Sequence, residues 1–204
     1  MYDCSTIKYL YTHEKNALFQ VIAEDTSIHH IRNMAIFHLA EYAALRASEV
    51  GLIRMSELNL YPDYGYPRIY FKRLKHSNNN TLRILDPQVL NSLQTYLEYR
   101  KLYGINCDYL FPSQKANPIS RKTLDDLMKR YCRQANIPPE KAHFHVLKHT
   151  RAVELSDFGL DTKEVQYWTG HKNIANTEIY VQFTTTQQET LYKKLQANSF
   201  YIPS

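Results

Sequence analysis

Residues 143–151 read HFHVLKHTR: three histidines, a lysine and an arginine in nine positions, within a pattern that predicts a helix over about 145–157. His145 and Lys148 stand three apart in the first turn of that helix, a spacing that projects both to one side. The backbone amides of a helix start have no partner inside the helix and favour a nearby anion. A lone histidine at such a place is more often a packing or capping group, so the weight of the stretch depends on what flanks it.

Three further pieces flank it. Upstream, ALRASEV (44–50) sets Arg46 and Glu49 three apart at the end of an apolar helix read from about His29 to Arg46. There a carboxylate can hold a guanidinium in place, although a surface ion pair is the commoner meaning of that spacing. Lys75 stands in the polar tip KHSNNN between RIYFKRL and TLRIL, a strand, turn and strand. Hairpin lysines usually just discourage edge pairing. Downstream, in WTGHKNIANTEIYVQF (168–183), Gly170 ends a helix, His171 follows at once, and Tyr180 comes nine residues later on the next helix.

The remaining pattern is mostly helical. A helix is read over 12–25 with Thr12 as its cap, another opens at Pro87 and runs to about Leu102, and Ser120 caps one through about Gln134. Shorter helices are expected over about 162–168, 174–183 and 187–196. The fold class is mainly α with a small antiparallel β-sheet (α+β), organised as one domain over 1–183 and a helical tail over 184–204.

Composition narrows the chemistry. In 204 residues, 44% are hydrophobic, enough for a proper core. The net charge of +5 suits a nucleic-acid partner without requiring one. Cys4, Cys107 and Cys132 share no metal-ligand spacing and read as reduced thiols. Only five glycines occur, and neither GxGxxG nor GxxxxGK is present, so a phosphate-binding loop is not expected. His145 and His149 have the four-residue spacing of a zinc helix, but the intervening Glu and a third ligand are missing. No metal and no cofactor are predicted. No stretch has the length of a membrane span, and the N-terminus does not read as a signal peptide.

Taken in this order, the pieces resemble the tyrosine recombinase (phage integrase) family over about residues 10–181. The family's first box is similar to ALRASEV, which carries its first catalytic arginine onto Arg46 and the supporting acid onto Glu49. Its hairpin lysine maps to Lys75. Its His-x-x-Arg box with a following His-Thr resembles HVLKHT and carries catalytic roles onto His145 and Lys148. Its Leu-Gly-His box resembles WTGHKNI, giving His171, and the nucleophile nine residues on is Tyr180. RLKHSNNNTLRIL and KANPISRKTL are also similar to the short fimbrial phase-variation invertases.

The resemblance implies a tyrosine recombinase catalytic-domain fold and cleavage of double-stranded DNA through a 3′-phosphotyrosine, with neither metal nor ATP. Arg46, Lys148 and His171 would meet the phosphate charge, Lys75 would protonate the leaving oxygen, and His145 would help take the tyrosine proton or orient the phosphate. A homotetramer on DNA in the synaptic complex, a monomer or dimer when free, and a cytoplasmic, nucleoid-associated location follow, with the tail either docking on a neighbouring protomer or folding back on its own domain. Arg46 comes so early that a short member without the family's N-terminal DNA-clamping domain is expected. Lys115, Arg121, Lys122, Lys129 and Arg130 are candidate backbone contacts, with an ordinary solvated charged face as the other reading.

One position departs from the family pattern. Lys148 stands where most members have a second arginine. Arg151, one turn further, is the other candidate for that role, and the register of the box selects Lys148. Lysine supplies charge without the planar fork that grips two phosphate oxygens. Type IB topoisomerase-like strand relaxation and a recombinase-derived DNA-binding protein with weakened or lost catalysis are the alternative readings.

Overall fold

The computed structural model describes residues 8–74 and 77–180. Eight α-helices are formed among them: α1 (Thr12–Ala23), α2 (His30–Tyr42), α3 (Ala47–Leu52), α4 (Pro87–Leu102), α5 (Arg121–Gln134), α6 (Val146–Asp157), α7 (Thr162–Thr169) and α8 (Ala175–Glu178). Between α3 and α4 lie three strands, β1 (Leu58–Asn59), β2 (Arg68–Phe71) and β3 (Asn80–Arg83). The fold is mainly α with one small antiparallel sheet in the order β1-β2-β3.

Helix α2 is the centre of the core. Ala35, Ile36, Phe37, Leu39 and Ala40 are all fully buried on it, and α1, α4 and α6 pack around it. Its two alanines let neighbouring backbones approach, while Phe37 meets Tyr131 and Phe144 edge-on, with ring centroids 5.4 and 5.5 Å away. Burying one such phenylalanine stabilises the fold by about 2–3 kcal/mol. The sheet covers one side through alternation: Ile69 and Phe71 of β2 point inward, Arg68 and Tyr70 outward.

Local chemistry explains most boundaries. The Asp86 carboxylate accepts from the Gln88 amide at 2.8 Å, just before Pro87 at the first position of α4. Ser120 Oγ accepts from the Thr123 amide at 3.0 Å and starts α5. At α1 the cap is Tyr11 rather than Thr12, because the Glu14 carboxylate reaches back to the Tyr11 amide at 2.8 Å.

A larger correction concerns the helix expected through Arg46. It ends at Tyr42, because Ala44 turns left-handed at φ 51° and the Leu45 amide reaches back to the Ala40 carbonyl at 2.9 Å. That is a Schellman ending with alanine in the place glycine usually takes. Arg46 therefore begins α3 instead of ending α2.

The β2–β3 hairpin is fastened to the end of α7. The Asn78 amide donates to the Gly170 carbonyl at 2.9 Å, and Asn80 Nδ2 donates to the Tyr167 carbonyl at 2.6 Å. Among the described residues no helix is long and apolar enough to cross a membrane. Lys75 and the 184–204 tail lie outside the described residues.

Candidate active site

Arg46 and Glu49 are joined by a capping box rather than by a shared helix face. One Glu49 oxygen accepts from the Arg46 amide at 2.9 Å, and the other from its guanidinium at 2.7 Å. The same carboxylate also accepts from the Leu74 amide at 3.1 Å, which ties it to the hairpin. Burial alone would raise the Glu49 carboxyl, but Lys148, the Arg46 amide, Arg73 and the Arg46 charge hold it below the usual carboxylate range.

Arg46 faces a cleft of about 630 Å³ that is also lined by Arg121, Asp125, Lys129, His143, His145, His171, Asn176 and Tyr180. Four elements supply these groups: the start of α3, the outer face of α5, the loop entering α6, and the segment from Gly170 to Tyr180. Gly170 permits the last of these, since its φ of 69° ends α7 and turns His171 inward. The His171 ring rests with Nδ1 3.1 Å from Thr177 Oγ1. On α5, the Asp125 carboxylate accepts from the Phe144 amide at 3.1 Å and so holds the entrance to α6 in place.

Tyr180 sits in a turn just after α8 and is 7% exposed. Its hydroxyl lies 2.5 Å from Nδ1 of His149, one helical turn beyond His145. The rings of His145 and His149 meet edge-on at 4.5 Å, and those of His171 and Tyr180 stack at 6.3 Å. Burial, with the nearby cations, pushes His149 down to about 4 and His171 down to about 3. His145 is shifted the same way, by desolvation and by His149, Lys148 and Arg46. Burial raises the Tyr180 phenol above its ordinary value, with Arg46 opposing.

Lys148 is set apart from His145. It is 1% exposed, and its ammonium donates to the Thr169 carbonyl at 2.6 Å and the Ala44 carbonyl at 3.1 Å, behind the cleft wall. Burial and Arg73 drive its pKa well below the ordinary lysine value. The first-turn spacing does not bring both side chains into the cleft, because Lys148 turns toward two carbonyls at helix ends. Arg151 does not replace it: its guanidinium lies over the Tyr42 and Trp168 rings and pairs with Glu154 at 3.4 Å.

Two residues of this region were not singled out from the sequence for the roles their contacts give them. In the sequence His149 stands out only by its zinc-like spacing from His145, and Arg73 is one cation among 25. Of the candidate backbone contacts, Arg121 and Lys129 line the cleft, whereas Arg130 pairs with Asp25 at 3.0 Å. Among the described residues no three metal-ligating side chains converge.

The family model described as the phage integrase family matches residues 8–187. The chain is 31% identical over 105 residues to tyrosine recombinase XerD of Haemophilus ducreyi, covering 50% of this chain and 35% of the relative. It is 30% identical over 146 residues to XerD of Rickettsia prowazekii, covering 68% and 47%. The chain thus spans less than half the length of these curated relatives. Among solved structures, it is similar to XerA recombinase, with a TM-score of 0.74 and 24% identity over 95% of this chain and 66% of the other. Its similarity to the XerH site-specific recombinase bound to difH substrate has a TM-score of 0.76 and 22% identity, over 90% and 53%. At that level of identity the two likenesses establish the fold.

Proposed function

The chain belongs to the phage integrase family, and from that premise we propose that it is a site-specific DNA recombinase with Tyr180 as its nucleophile. The observation that supports this most is the Tyr180 hydroxyl on His149, at the wall of a cleft that also presents Arg46, His145 and His171.

A DNA phosphodiester resists attack because its charge repels nucleophiles, so cations must meet the non-bridging oxygens while the nucleophile is held in line. In this scheme Arg46 and His171 contact the phosphate. Lys148 stands behind the wall on the Thr169 and Ala44 carbonyls and supports the site from there rather than by contact with the phosphate. Tyr180 oxygen attacks phosphorus as its proton passes to His149 Nδ1, and His145 orients the phosphate. The bond from phosphorus to the 5′-oxygen breaks, and Lys75 gives that oxygen a proton. The products are a 3′-phosphotyrosine and a free 5′-hydroxyl. Attack by the 5′-hydroxyl of another strand reverses the steps with the bond energy conserved, so strand exchange needs no nucleotide. Arg121 and Lys129 would grip the flanking backbone, and a homotetramer would bring the exchanging strands together.

The burial of Lys148 favours one second reading, a recombinase-derived protein that binds DNA and cleaves it weakly. Incubating the protein with nicked fragments of its source genome in the presence of a chelator separates the two. A covalent protein–DNA adduct that survives denaturation supports recombination. DNA retained without an adduct supports binding alone, and cleavage that stops in the chelator contradicts both.

A further inference from the structure

Arg73 has no part in that scheme, yet its guanidinium is the meeting point of four elements. Its side chain is 0% exposed. Nε donates to Asn80 Oδ1 at 3.0 Å, and Nη2 donates to the carbonyls of Ala43 and Trp168, each at 2.9 Å. Nη1 faces Glu49 Oε2 and the Ala44 carbonyl, both at 3.4 Å. Lys148 takes the same Ala44 carbonyl and that of Thr169.

These carbonyls belong to the ends of two helices. Ala43 and Ala44 close α2, and Trp168 and Thr169 close α7, so two negative dipole ends converge on Arg73 and Lys148. Two buried cations satisfy both ends at once. The turn leaving α2 delivers Arg46, and the turn leaving α7 delivers His171. We propose that Arg73 is a positioning residue that, with Lys148, clamps the ends of α2 and α7 and so sets the separation of Arg46 from His171.

The clamp also accounts for lysine at position 148. Ala44 oxygen already serves both side chains, and among the described residues Glu49 is the carboxylate in contact with Arg73. A second planar fork at 148 would crowd the first and leave donors without acceptors, whereas a compact ammonium finishes the set. Arg73 and Lys148 are therefore a matched pair, in which the longer cation comes from the hairpin and the shorter from α6.

This inference rests on the strand-cleavage reading, and the experiment keeps the two apart. DNA affinity and the rate of Tyr180 adduct formation are measured for wild type, Arg73→Met, Arg73→Lys, Lys148→Arg and the exchanged pair Arg73→Lys/Lys148→Arg. Arg73→Met is expected to bind DNA within about threefold of wild type while forming adduct about 100-fold more slowly, the effect of a small misplacement at a reacting centre. Arg73→Lys recovers part of that rate, and the exchanged pair outperforms both of its single changes. If Arg73→Met does not fold, the exchanged pair decides. Independent, multiplying effects of the two changes, or wild-type cleavage by Arg73→Met, overturn the inference. Should wild type form no adduct, the strand-cleavage reading fails and the clamp is judged without DNA. The His171 ring signals in the nuclear magnetic resonance spectrum then move in Arg73→Lys if the clamp holds, and stay in place if it does not.

Discussion

The hydroxyl of Tyr180 lies 2.5 Å from Nδ1 of His149, on a helix 31 residues earlier in the chain. A phenol raised by burial and an imidazole lowered to about 4 make a pair in which the proton rests on oxygen in the free protein. His149→Phe should therefore form adduct about 10²–10³-fold more slowly, the usual worth of a positioned base. DNA affinity should change by less than about threefold, because the lost contact is made inside the protein. Gel-shift titration and single-turnover cleavage measure the two quantities separately.

Much of this arrangement was legible from the sequence, for identifiable reasons. Asp86-Pro87 and Ser120 announce α4 and α5 because caps and N-terminal prolines act within a few residues. The apolar face of α2 is a local period of the same kind. The break after Tyr42 was not legible, since it depends on an alanine at positive φ, which side-chain type does not signal. Strand β1 has two residues, too few for an alternation. Arg46, His171 and Tyr180 could be placed because each stands in a box at a fixed spacing. Arg73 could not, because its burial follows from contacts with residues up to 95 positions away.

Gly170→Ala tests whether the turn after α7 sets the site. A Cβ there would lie 2.9 Å from Arg73 Cγ and 3.0 Å from the Asn78 carbonyl, and the φ of 69° disfavours any side chain. The strain costs about 1–2 kcal/mol before any clash. The expected outcome is a melting temperature lower by several degrees and a larger proportional loss of cleavage than of DNA affinity. Calorimetry and adduct kinetics check it.

Lys148→Met separates stability from activity. Desolvating an ammonium costs several kcal/mol, while each of its two carbonyl bonds returns about 1 kcal/mol. The variant should thus be no less stable than wild type at neutral pH, yet cleave at least about 100-fold more slowly, because the hold on both helix ends is lost. The sign with pH is fixed by the lowered lysine pKa. The unfolded chain binds the proton more tightly, so the destabilisation from Lys148 fades as pH rises toward the ordinary lysine value of about 10.5. The stability difference between variant and wild type should shrink from pH 7 to 10 in paired denaturant titrations.

Acid should unfold the free protein early. His149 and His171 are held neutral, near 4 and 3, whereas unfolded histidine titrates near 6.5. The unfolded state therefore binds more protons between those values, and stability falls as pH drops below about 6.5. Glu41, raised to about 7 by burial and Glu154, works against this trend, because its stabilisation is lost as pH rises. Two histidines outweigh one carboxyl, so the melting temperature should decline from pH 6.5 to 4.5. Duplex DNA should reduce the decline, since phosphate favours charged imidazoles.

Locating the covalent bond identifies the nucleophile. Adduct trapped on nicked DNA would be digested with protease and nuclease, and the nucleotide-bearing peptide sequenced by mass spectrometry. The expected result is a 3′-phosphate ester on Tyr180 and on no other residue, and no adduct from Tyr180→Phe. An ester on a different tyrosine, or an undiminished adduct from Tyr180→Phe, would contradict it.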